Sequence, residues 1–320
     1  MEFLRLEDLS IAYETPFGLI HATTGVNFDV RRGESVCLVG ESGSGKSTVG
    51  LAIAMALPPN ARVMSGRILY GGVDLLRLSE EERKKYSGRE VSIVFQDPAA
   101  TLNPLFTIGE QISDILMSNL GLRKDEALNR ARKFLEIVGL PDSERVLKSF
   151  PHELSGGMLQ RVNIAIAIST EPKVLVADEP TTMLDVILQA QILELFEKLK
   201  RELKLTLIFI THNLGVASEV CDRIIVMYAG TIVEDGPADE VISRPMHPYT
   251  IGLLDCVPRA HIRDRKLRSI PGSLPDLSKP LTHCPFADRC EEVREICTRA
   301  IPTSIDVNPG HRVSCFKYIG

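Results

Sequence analysis

Residues 36–47 read "VCLVGESGSGKS", and the fold turns on them. The first five are an apolar run that ends at a glycine-rich turn, which predicts a buried parallel strand. From residue 46 a helical pattern runs to residue 57, where "PPN" stops it. Between strand and helix lies G-x-x-x-x-G-K-S, at residues 40–47. That is the setting in which such a loop wraps around phosphate. Its glycines let the backbone N–H groups of Gly40, Glu41, Ser42, Gly43, Ser44 and Gly45 turn inward around phosphate oxygens. The helix that opens with Lys46, Ser47 and Thr48 adds the positive end of its dipole. Lys46 is placed to reach the β- and γ-phosphates, and the Ser47 hydroxyl to join a Mg²⁺ shell.

The rest of the composition narrows the setting. The chain has 320 residues, 44% of them hydrophobic, and a formal net charge of −5. That length suits one large α/β domain with an appendage, and the negative balance gives no general pull toward nucleic acid. The first residues, "MEFLRLEDLS", carry acids early and lack an apolar run. Apolar runs such as "VLVA" and "IAIAI" are too short to span a bilayer. The expectation is a soluble cytoplasmic chain. Seven cysteines without a secretion signal argue against a disulfide framework.

Further buried strands are predicted at 91–95, 173–177 and 205–210. Residues 2–30 alternate as an antiparallel strand pair would. Between the strands, "TIGEQISDILMSNL" and "DEALNRARKFLEIVGL" are amphipathic helices. Strands separated by helices imply a parallel sheet covered on both faces. The stretch 97–169 is too long for a connection, so it reads as a helical subdomain inserted in the sheet domain. After about residue 257 the composition changes. "PRAHIRDRKLRSIPGSLPDLSKPL" is basic and then proline-rich, as a solvated linker or extended wrap would be. The division expected is therefore 1–257 and 258–320.

Two short motifs carry the remaining chemistry. "VLVADEP", residues 174–180, delivers Asp178 and Glu179 to the C-terminal edge of a strand, where ligands collect in such sheets. Asp178 fits a carboxylate that holds Mg²⁺ through water, and Glu179 fits the group that polarises an attacking water. "ELSGGMLQR", residues 153–161, contains Leu154, Ser155, Gly156 and Gly157 in the order L-S-G-G. With the phosphate loop and the D-E pair, this chain resembles the nucleotide-binding subunits of ABC transporters. The resemblance implies a P-loop NTPase (RecA-like) ABC nucleotide-binding domain, α/β in class. It also implies an antiparallel β subdomain, an inserted helical subdomain and a small Cys-rich C-terminal appendage. Ser155 sits at a helix N-terminus beside two glycines that leave backbone amides bare, which makes a second anion site. In the family it serves another molecule's ATP, so a head-to-tail dimer is implied.

Other family elements follow in order. Gln96, after "VSIVF", matches the glutamine that senses Mg²⁺ and water. Leu184 and Asp185, in "TTMLD", match the loop that crosses the dimer interface. His212, after "TLIFIT", matches the histidine at the γ-phosphate, although a strand-end histidine can also be purely structural. Tyr13 falls where the family stacks an aromatic on adenine. Met158 and Met183 depart from the common pattern, and neither removes a group with a chemical role. L-S-G-G-M, "FQDPAATLNPLFTIGEQI", "SFPHELSGGM" and "RPMHPYTIGLL" are similar to the dipeptide/oligopeptide importer branch. That branch implies a second homologous ATPase, as homodimer or heterodimer, and two transmembrane permease subunits. It also implies an extracellular substrate-binding protein that acts indirectly, and a place on the cytoplasmic face of the cell membrane. Closely similar ATPases serve nickel or oligosaccharide importers, and a soluble ABC ATPase without a permease is the other class of function.

The tail holds Cys284, Cys290, Cys297 and Cys315, spaced C-x5-C-x6-C-x17-C. Tight C-x2-C pairs, usual for structural zinc, are absent, whereas iron–sulfur clusters accept more open spacings. The resemblance implies a [4Fe–4S] cluster on these four. Zn²⁺ is the alternative metal, and packed free thiols are the simplest reading. Cys37, Cys221 and Cys256 read as packed thiols in or beside core elements.

Overall fold

Strand β1 (Glu2–Thr15) turns back as β2 (Gly18–Arg31), and its buried face changes parity partway along. Leu4 and Leu6 point to the core, then Leu9 and Ile11 do, with Asp8 between them at φ 48°. One extra residue in the ladder accounts for the switch, and the pairing shifts register at that point. The computed structural model describes residues 2–182, 184–256 and 269–319. The boundary at 257, the basic run 258–268 and Met183 lie outside the described residues.

The chain forms two compact units, the first from Met1–Val49, Leu57–Asp74 and Phe209–Gly320, the second from Gly50–Ala56 and Leu75–Ile208. In the first, β3 (Ser35–Val39) is buried throughout and leads through the phosphate loop into α1 (Lys46–Ile53). The helix stops short of residue 57. Met55 adopts φ 56°, a left-handed conformation that ends helical bonding, and Pro58 and Pro59 follow. Strands β4 (Ala61–Tyr70) and β5 (Val73–Asp74) extend the hairpin into an antiparallel sheet ordered β2-β1-β4-β5.

In the second unit, α2 (Glu80–Arg83) precedes β6 (Val91–Val94). Then come α3 (Pro98–Thr101), α4 (Ile108–Leu120), α5 (Lys124–Ile137), α6 (Ser143–Lys148) and α7 (Gly156–Ile168). These five helices occupy the stretch read as helical from the sequence. α4 starts at a capping box, Thr107 with Glu110, and buries Ile108, Ile112 and Leu116 along one face. α5 answers with Ala127, Ala131, Phe134 and Leu135. β7 (Val174–Asp178), buried throughout, pairs in parallel with β6. α8 (Val186–Leu203) follows, and the chain passes to the first unit within β8 (Thr206–Thr211). The three later buried strands thus appear within a residue of their expected bounds.

Back in the first unit, α9 (Leu214–Val220) leads to β9 (Arg223–Tyr228), which lies parallel to β3, and to β10 (Thr231–Pro237), antiparallel to β9. α10 (Ala238–Ser243) and α11 (Pro248–Asp255) follow. The tail hairpin, β11 (Ile305–Asn308) and β12 (His311–Val313), pairs with β10 and extends the sheet edge. Strands β4, β5, β9, β10, β11 and β12 were not read from the sequence.

Cys37 and Cys221 correct one expectation. They are paired as a disulfide, with Cα atoms 5.8 Å apart, rather than packed as separate thiols. Cys37 lies in β3 and Cys221 closes α9, so the fold brings together two buried thiols 184 residues apart.

Within the first unit a buried acid ties the tail hairpin to β10 and α11. Glu234, on β10, has no solvent exposure. Its carboxylate accepts the N–H groups of Met246 and His247, each at 2.8 Å, and pairs with His311 Nε2 at 2.8 Å. Such a group costs stability unless its acceptors are filled, and three donors fill them here. His247 caps α11, its Nδ1 accepting the Tyr249 N–H at 3.0 Å. Burial pushes the His247 imidazole down to about 4, against the opposing pull of the Glu234 carboxylate. With the folded value below the ordinary 6.5, the unfolded chain binds the proton first. This contribution is therefore complete above about pH 6.5 and is lost as pH falls toward 4. His247→Asn keeps a capping acceptor and removes the titration. Its melting temperature should fall less steeply than wild type across that window; parallel pH profiles in calorimetry would refute the assignment.

Candidate nucleotide site

The first unit supplies the phosphate loop. Gly40 follows β3, and a Cβ there would lie 2.2 Å from the Met227 carbonyl oxygen, so only glycine lets the loop leave the sheet. The Gly230 N–H donates to the Ser44 carbonyl at 3.0 Å, which braces the loop on the β9–β10 turn. Lys46, 4% exposed, folds its ammonium over the loop. It donates to the carbonyls of Gly40 and Glu41 at 2.8 Å each and to Ser44 Oγ at 3.2 Å. A cation held at the mouth of a glycine-rich turn, beside a helix N-terminus, is an anion receptor. The Tyr13 hydroxyl lies 3.1 Å from Thr48 Oγ1, so the expected adenine platform sits at the end of this loop. Ser47 follows Lys46 at the start of α1. His212 is exposed just past β8, and Asn213 after it caps α9.

The second unit brings together the acidic residues. Asp178 ends β7 and is 7% exposed. Glu179 follows at φ 45°, a conformation uncommon for a residue with a side chain. Strain of this kind concentrates at functional sites. Glu179 Oε2 accepts from Thr182 Oγ1 at 2.8 Å and from Gln96 Nε2 at 3.4 Å. Asn163 Nδ2 on α7 donates to the Phe95 carbonyl at 3.1 Å and fixes the strand end from which Gln96 projects. Thr182 was not singled out from the sequence, and its place in "DEPTT" was the signal available.

The same unit builds the L-S-G-G segment as expected of a helix start. Ser155 caps α7, its Oγ accepting the Met158 N–H at 3.4 Å. Ser155 and Gly156 are exposed, and a Cβ on Gly156 would meet nothing within 4 Å. Gly157 instead faces Leu188 of α8. Asp185 caps α8, Oδ1 accepting the N–H groups of Ile187 and Leu188 at 3.0 Å each. Beyond it Val186 is 82% exposed and Ile187 72% exposed, an apolar step next to the loop expected at an interface.

The tail gathers its cysteines in one lobe. Cys284 and Cys297 are buried, Cys290 and Cys315 half-buried. Burial pushes the Cys284 thiol up to about 11, and the other three cysteines push it the same way. Cys290 and Cys315 are also raised, again chiefly by burial. Backbone N–H groups oppose this, from Phe286 to Cys284, Glu292 to Cys290 and Lys317 to Cys315. The Arg294 N–H donates to Cys297 Sγ at 3.4 Å. Among the described residues, no group of three or more His, Cys, Asp or Glu side chains is arranged to hold a metal ion.

A phosphate loop, a strand-end D-E pair and a capped L-S-G-G helix define an ATP-binding cassette. The chain matches the ABC transporter family model over residues 23–182 and the oligopeptide/dipeptide transporter C-terminal region over 233–297. It is 43% identical over 314 residues to the dipeptide transport ATP-binding protein DppD of Bacillus subtilis, covering 98% of this chain and 94% of that protein. It is also 43% identical to the oligopeptide transport ATP-binding protein OppD of Salmonella typhimurium, covering 98% and 93%. The dimeric post-hydrolysis cassette MJ0796 bound to ADP and Pi superposes with a TM-score of 0.66 at 29% identity, over 74% of this chain and 99% of that one. This chain belongs to the ABC transporter ATP-binding subunits, in their dipeptide/oligopeptide branch. Among the described residues no helix is long and apolar enough to cross a membrane.

Proposed function

We propose that this chain is the ATP-hydrolysing subunit of a peptide importer, working as a head-to-tail pair closed on ATP. The exposed, capped helix start at Ser155 and Gly156 carries the reading, because it is an anion site without a phosphate loop of its own. In the pair it meets the γ-phosphate held by the other subunit's loop, with Gly157 and Asp185 beside it. Lys46 neutralises the β- and γ-phosphates, and Tyr13 lies against adenine. By the family resemblance Ser47, Gln96 and Asp178, each with a side-chain oxygen, would hold Mg²⁺, which would offset phosphate charge. Glu179 takes the proton of the attacking water, whose oxygen bonds to the γ-phosphorus as the bond to the bridging oxygen breaks. Thr182 and Gln96 hold that carboxylate in place. His212 donates to the γ-phosphate. Closure and reopening move two permease subunits on the cytoplasmic face of the membrane, loaded from outside by a binding protein. The partner ATPase is a second copy or a homologue, and no nucleic acid takes part. The test is ATP hydrolysis in vesicles holding the cognate permeases and binding protein. Stimulation by di- or oligopeptides is expected; stimulation by nickel or oligosaccharide alone would replace the substrate.

The same reading gives the tail, from about residue 258, a [4Fe–4S] cluster on Cys284, Cys290, Cys297 and Cys315. Four cysteines near enough to act on one another electrostatically, each met by a backbone N–H, support it, since N–H groups favour the thiolate form that iron requires. A bound cluster would staple a lobe with little core of its own. Anaerobic preparation should yield iron and acid-labile sulfide together; zinc without sulfide would put Zn²⁺ there instead.

A further inference from the structure

We infer that Arg289, in the cysteine lobe, is a positioning residue for ATP binding, acting through Glu41 of the phosphate loop. Arg289 immediately precedes Cys290, yet its side chain is turned away from solvent toward the loop, with 5% exposure. Its guanidinium forks onto the Glu41 carboxylate, Nη1 to Oε2 at 2.7 Å and Nη2 to Oε1 at 3.0 Å. Paired, parallel charge-assisted bonds fix orientation as well as distance. The remaining donors are also used. Nε binds the Pro271 carbonyl at 2.7 Å, Nη2 the Ile270 carbonyl at 3.2 Å, and Nη1 the Tyr228 hydroxyl at 3.2 Å. The guanidinium carbon also lies 5.6 Å from the Tyr228 ring centroid, within cation–π range.

Glu41 transmits this hold to the groups that meet phosphate. Its N–H donates to the Tyr249 hydroxyl at 2.8 Å. Its carbonyl accepts from Lys46 Nζ at 2.8 Å and from the Ser44 N–H at 3.2 Å. The residue clamped by Arg289 is thus one of the three, with Gly40 and Ser44, on which the phosphate-binding lysine rests. Tyr228 meets Tyr249 and the lobe's Phe286 edge-to-face, and Tyr249 and Phe286 are tilted against each other, with centroids 4.7–5.4 Å apart. A second connection is independent of Arg289. The segment after residue 269 runs beside the loop: the His21 N–H donates to the Leu277 carbonyl at 2.8 Å, and Leu274 packs against Gly43, where a Cβ would fall 3.1 Å from Leu274 Cδ1. The lobe is therefore a wall of the loop, and a change within it is felt at Lys46.

The inference rests on residues 40–48 being the phosphate loop. Its test is equilibrium ATP binding by the purified full chain, with melting temperature measured on the same samples. Arg289→Ala and Glu41→Gln should each raise the Kd for ATP about tenfold, the low end of what outer partners of a ligand-holding group usually contribute. The double variant should bind no worse than either single one, because both break one interaction. Arg289→Lys keeps the charge but not the fork and should fall between wild type and Arg289→Ala. A lowered melting temperature with wild-type Kd in Arg289→Ala would reduce the pair to a staple and overturn the inference, and so would additive losses in the double variant. If Arg289→Ala does not fold, Glu41→Gln decides, and wild-type binding there is the refuting result. Lys46→Ala separates the two layers. Wild-type ATP binding in that variant removes the loop assignment and the inference with it, whereas loss of binding there leaves the Arg289 results to judge the inference alone.

Discussion

Glu179→Gln should bind ATP about as well as wild type and hydrolyse it at least about 100-fold more slowly, the usual scale for losing a general base. Gln has the shape of Glu and keeps an oxygen to accept the Thr182 hydroxyl, so the local structure should survive. It cannot take a proton. The left-handed backbone at Glu179 matters here, because φ 45° aims the side chain off the end of a buried strand and a looser residue would not hold it there. With chemistry blocked and binding intact, the ATP-bound pair should accumulate. Phosphate release and ATP affinity measured on one preparation, with size-exclusion chromatography in ATP, check all three statements. Wild-type phosphate release would remove Glu179 from the base role, and lost ATP binding would mean that the substitution disturbs the site more widely.

The parts of this protein legible in its sequence are those whose chemistry is local. A phosphate loop is built by consecutive backbone groups, so its residue types and order nearly define it. The same is true of Ser155 at the start of α7 and Asp185 at the start of α8, where side chains cap the helices they begin. Buried parallel strands stand out as short apolar runs, which is why β3, β6, β7 and β8 were found close to their true bounds. Of the strands missed, β9 is an apolar run of the same legible type, and the others are of two kinds. β4 and β10 alternate weakly and carry charged or polar residues such as Arg62, Ser65, Glu234 and Asp235 at paired positions. β5, β11 and β12 are only two, four and three residues long, and the last two depend on the β10 edge. Periodicity cannot register either kind.

Long-range partners were invisible for a different reason. Arg289 lies within the cysteine stretch of the tail, yet its partner lies 248 residues earlier. Nothing in "CPFADRC" announces which carboxylate the arginine will find. Cys37 and Cys221 were judged singly, each reasonable as a packed thiol, and only the fold puts one against the other. Glu234 and His311, 77 residues apart, make the same point for a buried acid. Such pairs follow from topology, and topology follows from many weak preferences rather than from any motif.

Gly45→Ala should abolish measurable ATP binding, because one methyl group would collide with anchored strand backbone and force the loop itself to shift. Gly45 adopts φ 98°, a conformation that residues with a Cβ rarely take. A Cβ there would lie 2.4 Å from the Ala22 carbonyl oxygen and 3.3 Å from Thr23 Cγ2. Ala22 and Thr23 belong to β2, whose pairing with β1 runs through both Ala12–His21 and Ile11–Thr23. The strand is anchored on each side of the clash, and the Thr24 N–H bonds the Gly230 carbonyl at 2.8 Å on the turn that braces Ser44. Relief must therefore come from the loop, which shifts Lys46, the next residue. A displacement of about 1 Å in a group that places reacting atoms costs on the order of 100-fold. Here binding itself depends on the displaced group, so affinity and turnover fall together. Folding should be less affected, since the methyl can be accommodated by a loop that gives up its phosphate-binding shape. Isothermal titration with ATP and a melting curve distinguish the outcomes. A folded variant without ATP binding is expected, and a Kd within about threefold of wild type, a difference of well under 1.4 kcal/mol, would show that the loop carries less of the phosphate site than its geometry indicates.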